Sequence, residues 1–102
     1  DLDLCARSVH VGHPGRGHTD HDLVVVIGPQ VPDAPTVVFC GDLVEESADP
    51  AIDAGSDLRE WPRSLDRVLA LGGPDARYVP GHGAVVDAGF VSRQRDWLAT
   101  QG

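Results

Sequence analysis

Three short segments, the apolar and β-branched-rich 23–27 and 36–40 and the shorter Tyr78-Val79-Pro80, each abut a turn that holds glycine and a side chain able to bind a metal ion. The first run follows Gly15-Arg16-Gly17-His18-Thr19-Asp20-His21-Asp22. The second leads into Gly41-Asp42, and the third into Gly81-His82-Gly83. Apolar runs this short, punctuated by glycine and proline, make strands rather than helices. The chain is therefore committed to a sheet whose edge collects polar side chains. The unbroken apolar character of 23–27 further predicts a strand covered on both faces.

The remaining elements follow from spacing. A strand is expected over 4–11, ending at Gly12 and Pro14. The segment 28–35 holds prolines at 29, 32 and 35 and is read as an irregular loop, short enough to make 36–40 the antiparallel partner of 23–27. The start of one strand then lies beside the end of the other, which sets His18 and Asp42 at one sheet edge. Residues 45–56 are acidic and broken by Asp49-Pro50 and Ala54-Gly55, and read as a mobile loop over that edge. Leu58, Trp61, Leu65, Val68 and Leu69 recur at helical spacing, with Asp57 or Ser64 as cap, a start or kink at Pro62, and a stop at Gly72-Gly73-Pro74. A strand over 77–80 after this helix returns parallel to 36–40, so His82 joins Asp42. Asp87 caps a last helix whose face is Phe90, Val91, Gln94, Trp97 and Leu98. The fold class is α/β in the broad sense, α+β in detail.

At 102 residues and 41% hydrophobic the chain makes one domain or half-domain, 1–102. It holds no methionine and opens on Asp1, from which an upstream region is expected. Net charge is −8, and the 8 basic residues, all arginine, are scattered, which disfavours a nucleic-acid partner. No apolar run approaches the ~18 residues of a membrane span. Cys5 and Cys40 lack paired spacing and read as free thiols, in keeping with a reducing, cytoplasmic setting.

His18, Asp42 and His82 are the candidate metal ligands, and each has a plainer role available. His18 can serve its loop, Asp42 can satisfy turn amides, and His82 can simply occupy a tight turn. Their shared position beside glycine, at strand ends on one edge, favours ligation. His21 reads as an outer or exposed group, and His10 and His13 as packed or solvated. Cys40 is an alternative ligand, although a buried, unreactive thiol is the plainer reading. Trp61 and Trp97 read as core, and the acidic stretch 45–57 as solvated.

Gly17-His18-Thr19-x-x-Asp22-Leu23-Val24-Val25, Phe39-Cys40-Gly41-Asp42-Leu43-Val44 and Val79-Pro80-Gly81-His82-Gly83 resemble, in order and spacing, the later metal motifs of the metallo-β-lactamase superfamily. The resemblance implies an αββα sandwich with a zinc pair, or iron or manganese, at the sheet edge. By that likeness His18 binds the first ion, Asp42 bridges the two and carries the catalytic role, and His82 binds the second. The implied reaction is hydrolysis of an ester, thioester, amide or phosphodiester bond of a small-molecule substrate by metal-activated hydroxide. The superfamily's His-x-His-x-Asp-His signature is absent, so the chain looks like the C-terminal half of such a domain, inactive alone. The aspartate at 42, where the zinc β-lactamases carry cysteine, is more like the thioester and phosphodiester hydrolases, glyoxalase II among them.

Three ligands cannot saturate two ions, and two helices cannot cover both faces of a sheet. The expected partner is therefore the N-terminal half of the same domain or a second copy of the chain. The alternative reading is a non-catalytic acidic interaction module, or an inactive fragment lacking the N-terminal metal motif.

Overall fold

The computed structural model describes residues 2–4, 7–19, 22–28 and 34–101. Five strands, β1 (Leu2–Leu4), β2 (Arg7–Gly12), β3 (Val24–Ile27), β4 (Val37–Gly41) and β5 (Arg77–Pro80), form one sheet in the order β1-β2-β3-β4-β5. The first four are antiparallel neighbours, and β5 returns parallel to β4 through the helix α1 (Trp61–Gly72). A second helix, α2 (Ala88–Ala99), closes the chain. The single strand expected over 4–11 is instead the pair β1 and β2. The loop expected over 28–35 lies largely outside the described residues, as do Cys5, Asp20 and His21.

Each helix has an identifiable start. Asp87 is extended and its carboxylate accepts from Phe90 N at 2.8 Å, the cap expected of it and worth about 1 kcal/mol. In α1, Pro62 sits in the first turn, where its missing N–H costs nothing. Asp57 acts one turn earlier: its carboxylate accepts from Glu60 N at 3.0 Å and its carbonyl from Trp61 N at 2.8 Å. Gly73, at φ 87°, ends α1, and the buried Tyr78 hydroxyl donates to its carbonyl at 2.7 Å, tying the helix end to β5.

Both helices pack on the sheet face that carries Val24, Val38, Cys40 and Tyr78, with Trp61, Leu65, Val68, Val91 and Leu98 completing the core. The other face presents Val11, Val25, Phe39 and Val79 as one row across four strands. Val11 is 56% exposed and Phe39 43%. Burial of β3 on both faces is thus not observed. Val24 is buried, its three successors are only partly so, and Leu23 is exposed, because among the described residues no helix lies on that side.

Candidate metal centre

The parallel β4–β5 pair ends with Gly41 opposite Pro80, so the turns that follow both strands emerge side by side. They are then knitted together through the main chain. Gly81 N donates to Val44 O at 3.0 Å, while Glu46 N and Ser47 N donate to His82 O at 3.2 and 3.4 Å. The Glu46 carboxylate accepts from Ala84 N at 2.8 Å. Tyr78 and Val86 exchange main-chain hydrogen bonds of 2.9 Å each, which closes the loop bearing His82 into a short lap.

These loops bring Asp42, Glu45 and His82 together, with one potential ligand atom from each lying within 4.8 Å of the others. His82 Nδ1 is 3.0 and 3.3 Å from the two Glu45 oxygens and 3.7 Å from Asp42 Oδ1. Gly81 makes the approach possible. A Cβ there would overlap Asp42 Oδ1 and Glu45 Oε1 and press on the main chain of Gly41. The hydrogen bond to Glu45, and then the Glu45 charge, raise the His82 pKa above 6.5; slight desolvation opposes this and Asp42 adds to it. Oxygen and imidazole donors brought together against a glycine whose missing Cβ leaves room for the two carboxylates are a donor set zinc accepts.

Glu45 escaped the reading by composition, which assigned it to a solvated acidic stretch. It is buried, because Gln94 of α2 holds its main chain from both sides: Glu45 N donates to Gln94 Oε1 at 2.9 Å and Gln94 Nε2 to Glu45 O at 2.6 Å. The usable signal was Gln94 itself, a polar residue on the inward face of α2 between Val91 and Leu98.

His18 is not part of this three-residue group. Its loop is drawn toward α1, where Ser64 Oγ donates to Arg16 O, Arg67 Nη1 to Pro14 O, Asp57 N to Gly17 O and Ser56 Oγ to His18 O. The His18 ring lies edge-on to Trp61, with centroids 6.0 Å apart. Trp61 Nε1 in turn donates to Leu43 O at 3.0 Å, so one buried indole braces both the His18 and the Asp42 loops. Asp22 closes the His18 turn by accepting from Thr19 N at 2.7 Å. Cys40 faces the core, 1% exposed, where burial pushes its thiol up to about 12, and it is not one of the three-residue group. His13 Nδ1 lies 2.7 Å from the Asp22 carbonyl, and His10 is exposed on β2.

No family model matches the chain. It is 33% identical over 100 residues to the metallo-β-lactamase type 2 of Bacillus cereus, an alignment covering 96% of this chain. A metallo-β-lactamase from Pontibacter korlensis superposes with a TM-score of 0.77 at 27% identity, over 95% of this chain. These likenesses support membership of the metallo-β-lactamase superfamily. The fold alone is shared with the DIM-1 metallo-β-lactamase exposed to ceftazidime, at a TM-score of 0.76, 23% identity and 95% of this chain. The chain spans 37% of the length of the Bacillus cereus relative and 44 and 46% of the two solved chains. Its sheet and two helices therefore correspond to part of the metallo-β-lactamase fold.

Proposed function

We propose that the whole protein is a metal-dependent hydrolase that cleaves an ester, thioester, amide or phosphodiester bond in a small molecule. The observation carrying this reading is the convergence of Asp42, Glu45 and His82 at the C-terminal edge of the parallel strand pair, against a glycine whose missing Cβ leaves room for the two carboxylates. A zinc pair held at this edge by His18, Asp42 and His82 would supply Lewis acidity toward water and toward the oxygen of the scissile group.

The roles of the chain's own residues follow from their chemistry. Asp42 has two oxygens and partial exposure, which suits a bridge between two cations. His82 presents an imidazole to the outside of the edge, and His18, braced by Trp61, would help to hold the other ion. The remaining ligands come from the part of the superfamily fold that this chain does not span. That part also covers the Val11, Val25, Phe39 and Val79 face. The carboxylate at 42 favours thioester and phosphodiester substrates, and the likeness to proteins named metallo-β-lactamases favours a cyclic amide.

The test is hydrolysis by the full-length protein of a thioester, a phosphodiester and a β-lactam, before and after chelation. Turnover of one class, lost on chelation and restored by zinc, supports the reading. Turnover indifferent to chelation, or none with any class after zinc loading, contradicts it.

A further inference from the structure

The structure assigns Glu45 the part of a positioning residue: its carboxylate holds His82 with the proton on Nδ1, leaving Nε2 as the donor atom offered to a cation. The inference rests on the reading of His82 as a ligand and adds how that ligand is oriented.

Exposure distinguishes the two partners. The Glu45 side chain is 8% exposed, and that of His82 71%. Both Glu45 oxygens lie within reach of Nδ1, at 3.0 and 3.3 Å, nearer than Asp42 at 3.7 Å. An ionised carboxylate only accepts hydrogen bonds, so the proton in this contact belongs to the imidazole. In the neutral ring that places N–H at Nδ1 and the lone pair at Nε2. A buried carboxylate left without a donor is costly, and among the described residues no buried side-chain nitrogen or oxygen lacks a partner.

The anchor behind Glu45 is α2. Gln94 lies three residues after Val91 and four before Leu98, both fully buried, so core packing turns its amide inward. That amide meets the N–H and the carbonyl of Glu45 together, which fixes the residue before its side chain is considered. The chain of constraint thus runs from the packed face of α2 through Gln94 and Glu45 to His82. A carboxylate behind a ligating imidazole fixes its tautomer and makes its free nitrogen more basic, and losing such a partner typically costs about 10- to 100-fold in metal affinity.

The test uses full-length protein with 15N-labelled histidine. In the metal-free state, above the His82 titration, two-bond 1H–15N correlations are expected to show His82 protonated at Nδ1. In the zinc-loaded state the metal is expected on Nε2, with the Nδ1 proton retained. Glu45→Gln keeps an acceptor oxygen but removes the charge, so the Nδ1–H tautomer persists while zinc affinity, measured against a competing chelator, falls about 10- to 100-fold. Glu45→Leu loses the tautomer preference as well. An Nε2–H tautomer in the wild type, zinc on Nδ1, or unchanged affinity in Glu45→Gln overturns the assignment. If the wild type binds no zinc, the hydrolase reading falls, and the metal-free spectrum alone decides the tautomer.

Discussion

The main chain at Gly81 passes so close to Asp42 that any Cβ on Gly81 would overlap the Asp42 carboxylate. The glycine is thus part of the site because of what it omits. Gly81→Ala is expected to force Asp42 and Glu45 aside, lowering zinc affinity at least tenfold and costing ~1–3 kcal/mol of stability through overpacking. Zinc titration and thermal unfolding of the full-length variant check this. Unchanged affinity would show that the space beside Gly81 is not used for binding.

The raised pKa of His82 predicts how cation binding depends on pH. A metal needs the neutral imidazole, so protons compete up to a pH above the ordinary 6.5. Affinity is expected to be full above the raised value and to decline as pH falls through it. In the metal-free protein the sign for stability is opposite. The contribution of the protonated His82–Glu45 pair is fully present below 6.5 and is lost as pH rises through the raised value. An NMR titration of His82 gives the value, and a midpoint at or below 6.5 would contradict the Glu45 contact.

Cys40 is expected to be inert. Its Sγ is buried, 3.6 Å from Val38 O, and its pKa is pushed up to about 12. The thiolate that reacts with alkylating agents is therefore scarce at ordinary pH. Iodoacetamide at pH ~8 should leave Cys40 unmodified in the folded protein and label it after denaturation, with mass spectrometry of the Cys40 peptide as the readout. Rapid labelling of the native protein would place Cys40 back among the ligand candidates.

The uncovered sheet face predicts association of the 102-residue chain when it is isolated. Val11, Val25, Phe39 and Val79 run in register across it, and a contiguous apolar patch of more than a few hundred Å² is uncommon on monomers. Light scattering is expected to give a mass above 10.8 kDa. Phe39→Glu should shift that mass toward the monomer. A monomeric wild-type chain would mean that this face tolerates water.

Much of the scaffold was legible in the sequence. The strand Arg77–Pro80 stands at its expected bounds because Gly72-Gly73-Pro74 and Gly81 punctuate both sides of it. The Asp87 cap and the parallel return of β5 were legible for similarly local reasons. The β1–β2 pair was not, since no glycine, proline or asparagine stands between Leu4 and Arg7 to mark two strands. Glu45 was missed for a different reason. Its neighbours in sequence are acidic and exposed, while its burial depends on Gln94, 49 residues away. His18 and Asp42 were expected at one edge, and the β3–β4 register does set the start of one strand beside the end of the other. What spacing could not reveal is that Ser56, Asp57, Ser64 and Arg67 tie the His18 loop toward α1.

The most direct test of the metal centre is the zinc content of the full-length protein and four variants, measured by elemental analysis after equilibration with zinc. The wild type should retain bound zinc. His18→Ala and His82→Ala should each lower the content, Asp42→Asn should lower it while the fold persists, and His10→Ala should leave it unchanged. Zinc absent from the wild type, or equal in the wild type and all four variants, would contradict the assignment of His18, Asp42 and His82 as ligands.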